Sequence, residues 1–349
     1  MTITAITQSL STPRFATYQL PILGGTSPEQ CLGMYLWNKQ LASAFLPVLQ
    51  IVEISLRNAI HQSYVAAQEA EIEKSFPQPT WAARKEAAKS WFINVFTPIN
   101  NREANRNIEA AKRQLTIDRK LHTPENIIAK LTFGFWVSLV KNDYDTRRAT
   151  YLTLWPDLRA EVFPNAVDTN TRNPLSINSI GNELKEINKI RNRLSHHEPL
   201  WRNNSAYQVE EIINKVIEHY DRCLKVINWI NPSNLKLLEL IDNNRKMAGL
   251  CNLHALWKNK QLPAGLATLP MNLAWADSVK LDTAHTGEVV AVISATAIMI
   301  KSEKDKVVFH CIQADVDGDM TAYTMGARVH FYPQISAARY PNAKNVTRL

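Results

Sequence analysis

The chain has 349 residues, 45% hydrophobic and 21% charged, enough apolar material for a sizeable core and for two domains, or one large domain with an appendage. Only 10 glycines and no GxGxxG, GxxxxGKS or GxxxxGKT run argue against a glycine-rich nucleotide-binding loop, and 4 scattered cysteines without a CxxC pair suggest neither a disulfide framework nor a thiolate zinc site. The formal charge of +8 and pI near 9.2 favour a polyanionic partner without specifying a fold.

Residues 1–25 are rich in Thr, Ser and Pro and predict a loosely attached amino-terminal arm. A helical domain is expected over 26–260. Ser27, Pro28 and Gln30 form an N-cap, an N1 proline and a capping-box partner for a strongly periodic segment, which Pro47 should kink or divide into two helices. In its second half Val48, Ile51, Val52, Leu56 and Ile60 make an apolar stripe. Glu53 and Arg57 share a helix face, as do Arg57 and His61. From Trp81 to Lys120 the chain is basic and helix-prone. Its stretch "NREANRNIEAAKRQLTIDRK" carries Arg102, Arg106, Lys112 and Arg113, either as a solvated face laced with ion pairs or as a phosphate-binding stripe.

Thr123 and Pro124 open the next helix, "TPENIIAKLTFGFWVSLV", with Phe133, Phe135, Trp136 and Leu139 as core. A short helix ends before Pro164. A long one starts near Ser176 or Asn178, turns Ile180, Leu184, Ile187 and Leu194 inward, and is closed by Pro199. Another stops at Asn231-Pro232, and 234–259 supplies one or two more. Beyond residue 260 the texture changes. Over about 285–333, within a second domain at 261–349, β-branched alternation punctuated by Gly287, Gly318 and Gly326 predicts four or five short antiparallel strands. The longest nearly uncharged run, "VVAVISATAIMI", is too short to span a bilayer, and the start "MTITAITQSL" lacks the pattern of a secretory signal, so a cytoplasmic protein without membrane contact is expected.

The stretch "KEINKIRNRLSHHEPLW" crowds Arg191, Asn192, Arg193, His196, His197 and Glu198 into eight positions at a helix end. A cation there gains about 0.3–1 kcal/mol from the helix dipole, so a charged cap is the simplest explanation. Two histidines, two arginines and an asparagine together exceed what a cap requires. An imidazole exchanges protons near pH 7, and a guanidinium presents a rigid fork of donors to phosphate. RNA supplies its own nucleophile, the 2′-hydroxyl. Zinc ligation by His196, His197 and Glu198 with His219 and Cys223 lacks any defining spacing, so no metal or cofactor is expected.

Arg191-Asn192-Arg193-Leu194-Ser195-His196 resembles the R-x4-6-H signature of HEPN-domain ribonucleases, and "RNRLSHHEPLW" resembles the abortive-infection (AbiD/AbiF, Abi-like) branch of that superfamily. "VEISLRNAIHQ" and "ENIIAKLTFGFWVSL" are similar to two further segments of that family, in family order, over residues 30 to about 235. The resemblance implies a mainly α chain whose HEPN-type helical bundle precedes the small β domain. It also implies a metal-independent endoribonuclease in phage defence or acting as a toxin, a homodimer with the motifs at its interface, RNA as substrate and a possible cognate antitoxin. Carried over residue by residue, Arg191 would bind phosphate and stabilise the transition state. Asn192 would orient the imidazole, and His196 would be the general acid/base, with His197 as the alternative. Glu53, Arg57 and Arg193 would support the site, or simply stabilise the bundle. The carboxy-terminal stretch is similar in order to a cold-shock (OB-type) domain, with Phe309 and His310 of "VVFH" as candidate stacking residues. The stretch "SATAIMIKS" lacks the aromatics of that family's other RNA-binding motif. A non-catalytic RNA-binding dimer is the alternative reading.

Overall fold

A capped, apolar-striped stretch becomes the spine of the first unit. In the computed structural model a short helix, α1 (Ile3–Leu10), precedes α2 (Pro28–Ser75). The Ser27 hydroxyl accepts from the Gln30 N–H (3.2 Å), and the Gln30 carboxamide accepts from the Ser27 N–H (3.5 Å). The structure describes residues 3–10, 13, 17–19, 27–146, 151–201, 208–261, 279–281, 283–335 and 339–349; they divide into two units, Met1–Leu266 and Ala267–Leu349.

Pro47 does not divide α2, which runs through it for 48 residues. The ring removes one helix hydrogen bond and costs about 3 kcal/mol. Phe45, Val48, Leu49 and Val52 around it are all buried, and each such side chain contributes about 1.5–3 kcal/mol. Asn243 also donates to the Ala44 carbonyl in the proline turn (2.9 Å). Packing outweighs the break. The expected amino-terminal arm is described only in part, residues 1–2, 11–12, 14–16 and 20–25 lying outside the described residues. Within it α1 contacts α2, and Tyr18 is buried edge-on against Tyr35 and Trp201.

Around α2 are arranged α3 (Trp81–Ala88), α4 (Trp91–Val95), α5 (Arg102–Ile117), α6 (Pro124–Lys130), α7 (Phe133–Leu139) and α8 (Arg159–Val162). They are followed by α9 (Ile177–Ser195), α10 (Val209–Ile230), α11 (Leu235–Leu240), α12 (Asn243–Leu250) and α13 (Leu253–Lys260). The segment opened by Thr123 is two short helices rather than one. The Thr132 hydroxyl takes the Phe135 N–H (3.3 Å), a second N-cap that restarts the chain as α7. Phe133, Phe135, Trp136 and Leu139 are buried as expected. Ser176 caps α9 through the Ser179 N–H (3.1 Å). Gly181 lets α9 approach closely, since a Cβ there would lie 2.3 Å from the Val140 carbonyl oxygen at the end of α7. The motif helix is thereby seated against the aromatic core.

In the second unit β2 (His285–Ser294), β3 (Ala297–Ser302), β4 (Val308–Ile312), β5 (Arg328–Ile335) and β6 (Asn342–Arg348) close a five-stranded barrel, with the two-residue β1 (Val279–Lys280) at the edge of β5. The pairings β2–β3, β3–β4, β2–β5 and β5–β6 are antiparallel; β4–β6 is parallel and closes the ring. This order is compatible with the OB-type barrel that the carboxy-terminal resemblance implies. Phe309 corrects one expectation. It is 1% exposed, packed on Phe331 with ring centroids 4.9 Å apart, and belongs to the barrel core. Strand alternation explains this: Phe309 points inward, so no base can stack on it, whereas the half-buried His310 is on the opposite face.

Candidate functional site

The quoted cluster sits at the carboxy-terminal end of α9. Ser195 is the last helical residue and His196 the C-cap. The Glu198 N–H donates to the Arg193 carbonyl (2.8 Å) and the His197 N–H to the Leu194 carbonyl (3.0 Å), the two bonds of a Schellman motif. That motif places its C′ residue in the left-handed region, where glycine is usual. Here the residue is His197, with φ of 59°. Both imidazoles are exposed, as are Asn192 and Glu198, while Arg191 and Arg193 are half-buried.

Three of the sequence-predicted residues converge. Glu53 and Arg57 lie one turn apart on α2, and the Arg191 guanidinium of α9 is close enough to act on Glu53. Burial lifts the Glu53 carboxyl above the ordinary carboxylate range, and the nearby positive charges of Arg191 and Arg57 oppose that rise. The Arg57 Nε is buried without a hydrogen-bond partner among the described residues. A half-buried carboxyl within electrostatic reach of two guanidiniums thus links α2 to the motif helix, without a direct ion pair among the described residues. Asn192 is not bonded to an imidazole; its side-chain oxygen accepts from Arg191 Nη1 at 3.5 Å. Its expected role in orienting the imidazole is replaced by this contact with the arginine; the link from Asn192 to His196 is through the backbone, the His196 N–H donating to the Asn192 carbonyl (2.9 Å).

Arg193 stands apart from this group. Two positions along a helix rotate a side chain by about 200°, and Arg193 acts on His219 of α10 instead. His61, one turn beyond Arg57, accepts the Trp91 indole N–H on its Nδ1 (3.1 Å), and burial lowers its pKa. On α5, Arg102, Arg106 and Arg113 are exposed, whereas Lys112 turns to Glu109 (2.8 Å). Among the described residues no three His, Cys, Asp or Glu side chains are placed to hold a metal ion.

Sequence reasoning missed Asn38. It falls in the apolar stripe of Met34, Leu41 and Phe45 and is 1% exposed, and a polar residue inside such a stripe is the signal that would have found it. Its side-chain oxygen accepts the Leu200 N–H (3.2 Å), while its nitrogen donates to the Glu198 carbonyl and the Tyr18 hydroxyl (both 3.4 Å). Asn38 therefore ties the turn that follows the two histidines to α2. Asn38→Ala strands a buried N–H, and we expect it to cost about 1–3 kcal/mol. Urea unfolding checks this; a change inside measurement error would mean the turn is held by Leu200 and Trp201 alone.

Residues 6–202, more than half of the chain, match the profile of the Abi-like protein family. The chain belongs to that family. The match runs from α1 through the motif turn, so the Glu53–Arg57–Arg191 cluster and both histidines lie inside the Abi-like region, while α10 to α13 and the barrel lie outside it. Abi-like proteins are associated with abortive infection, a form of phage defence. No curated protein and no solved structure matches the chain. Among the described residues no helix is long and apolar enough to cross a membrane.

Proposed function

We propose that this Abi-like protein is an endoribonuclease that cleaves RNA at the end of α9, acting in phage defence or as a toxin restrained by a cognate antitoxin. The observation that carries this reading is the joint placement of half-buried Arg191, within electrostatic reach of Glu53 on α2, and two exposed imidazoles five and six residues further on. That separation is about 8 Å along a helix, the scale on which one side chain grips a phosphate while another reaches a neighbouring oxygen.

The chemistry needs four things: a nucleophile, a base, an acid and an anion stabiliser. The ribose 2′-hydroxyl gives its proton to a neutral imidazole as the O2′–P bond forms. Arg191 donates to the non-bridging oxygens as negative charge builds on the phosphorane. The P–O5′ bond breaks, and the departing oxygen takes a proton from an imidazolium. The products are a 2′,3′-cyclic phosphate and a 5′-hydroxyl. Both His196 and His197 can serve, and a homodimer pairing two α9 ends offers one imidazole as base and its symmetry mate as acid. Dimerisation also answers the exposure of the imidazoles, because a second copy covers what a single chain leaves open to water.

The test is incubation of the purified protein with end-labelled RNA in excess EDTA, followed by analysis of the new termini. Cyclic phosphate and 5′-hydroxyl ends are expected; 5′-phosphate ends would overturn the mechanism. The solvent exposure of both imidazoles also favours a second reading, a non-catalytic RNA-binding dimer. It predicts salt-sensitive binding with no products, and binding that persists in His196→Ala.

A further inference from the structure

The exposed face of α5 carries an unusual alternation. Arg102, Arg106 and Arg113 follow one another at i, i+4 and i+11, which places them within about 40° of each other around the helix axis. All three are exposed, and none makes an ion pair or hydrogen bond among the described residues. The opposite face, Ala104, Ile108, Ala111 and Leu115, is buried in the bundle, so α5 cannot turn its arginines inward. Glu109, an acid on the same face, is neutralised by Lys112 at 2.8 Å. Glu103 is exposed about a quarter turn to one side.

The second observation is independent of charge. Ile99 lies just before α5, Ile117 is its last residue and Leu121 follows it; they are 94%, 73% and 78% exposed. Ile117, four residues beyond Arg113 on the same helix, lies about 60° from Arg102 and so flanks the arginine stripe at its carboxy-terminal end, while Ile99 precedes the extended N-cap Asn101. Large apolar side chains left almost fully in water beside unpaired guanidiniums mark a surface that something covers. A membrane surface needs a broad apolar face, and the broad apolar face of α5 is already used in the core. An acidic protein would explain the arginines without requiring an exposed isoleucine beside them. A single strand of RNA satisfies both features, with phosphates on the arginines and a ribose or base face on Ile117. The arginines span about 16 Å, the length of roughly five nucleotides at a rise of about 3.4 Å.

We propose that the exposed face of α5, built from Arg102, Arg106 and Arg113 with Ile117 at its end, is a docking track for single-stranded RNA, separate from the α2–α9 residues that would cut it. This rests on the reading of RNA as substrate, and the probe is chosen to separate the two. A fluorescein-labelled 2′-O-methyl 12-mer of uridine has no free 2′-hydroxyl for the attack, so its binding reports docking alone. Anisotropy is measured against KCl concentration. Each phosphate contact contributes about 0.7 to the slope of log affinity against log salt for a single strand, so R102Q/R106Q/R113Q should flatten that slope by about 2. It should also weaken binding at least tenfold at 0.1 M salt. Ile117→Ser should weaken binding severalfold with the slope unchanged. Far-UV circular dichroism and melting temperature verify that the variants are folded. An unchanged slope in the triple variant overturns the track, and if that variant still cleaves unmodified RNA the nuclease reading stands without it. Failure of the wild type to bind the probe overturns the track, and absence of cleavage as well removes the substrate assignment. Retention of the arginine face by phosphatidylglycerol vesicles in preference to the oligonucleotide assigns the surface to a membrane and also overturns it.

Discussion

Arg191→Ala should lower RNA cleavage by about 10²–10³-fold, the usual effect of deleting one donor aimed at a developing oxyanion. Arg191→Lys should recover only part of this, because an ammonium is a point charge and cannot replace a planar fork. Stability should hardly change, since the side chain is only half-buried and its contacts are electrostatic. The histidines separate by a different route. Removing the general acid/base should cost about 10²–10⁴-fold, whereas removing the other imidazole should cost far less. His197→Gly is the informative substitution. It relieves a non-glycine residue at φ of 59°, so it should be neutral or stabilising by no more than about 1 kcal/mol. If His197→Gly is stable and fully active while His196→Ala is dead, His196 is the base. Full activity in both His196→Ala and His197→Ala, measured as single-turnover cleavage, would remove the imidazoles from the chemistry.

The second large effect concerns stability and pH. His219 on α10 is 6% exposed, and neither ring nitrogen has a hydrogen-bond partner among the described residues. Burial first, then the positive charges of Lys215, Arg193 and Arg222, push its pKa down from 6.5 to about 4, against the opposing pull of Glu218. In the unfolded chain it titrates near its ordinary value. Between pH 6.5 and about 4 the unfolded state therefore holds a proton that the folded state refuses. Stability from this group is complete above pH 6.5, falls as the pH drops, and levels off near pH 4. The loss amounts to about 3 kcal/mol. His219→Leu should remove that part of the pH dependence and leave neutral-pH stability equal or higher, since no hydrogen bond is lost. Urea unfolding at pH 7, 5.5 and 4.5 in both proteins measures it. Parallel curves would mean that His219 is solvated after all. His219 is within electrostatic reach of Arg193, one residue from the asparagine that touches Arg191, so the effect would be felt at the motif helix.

Much of the architecture could be read from residue patterns. Ser27, Thr123 and Ser176 announce helix starts because a side-chain oxygen three residues before an N–H is a local arrangement, visible in four consecutive letters. The apolar spacing of α2 and α9 and the β-branched alternation after residue 285 are equally local, and with them came the mainly helical fold and the small barrel. The match over residues 6–202 agrees with the motif segments that suggested the Abi-like family. Phe309 misled because an aromatic beside a histidine in a strand looks the same whether it faces ligand or core; only closure of the barrel gives the strand an inside.

What the amino-acid order determined alone is therefore short-range: caps, periodicities, the crowded ionisable groups before Pro199 and the family motifs they form. Tertiary structure decided the rest. It decided that α2 continues through Pro47, since burial on both sides outweighs one missing hydrogen bond. It brought Arg191 within electrostatic reach of Glu53 and Arg193 within reach of His219, although the arginines are two residues apart. It set Asn38 beneath a turn 160 residues away. Each of these outcomes depends on which surfaces meet across the core, and such meetings depend on the summed packing of the whole unit, so no local stretch of sequence contains them.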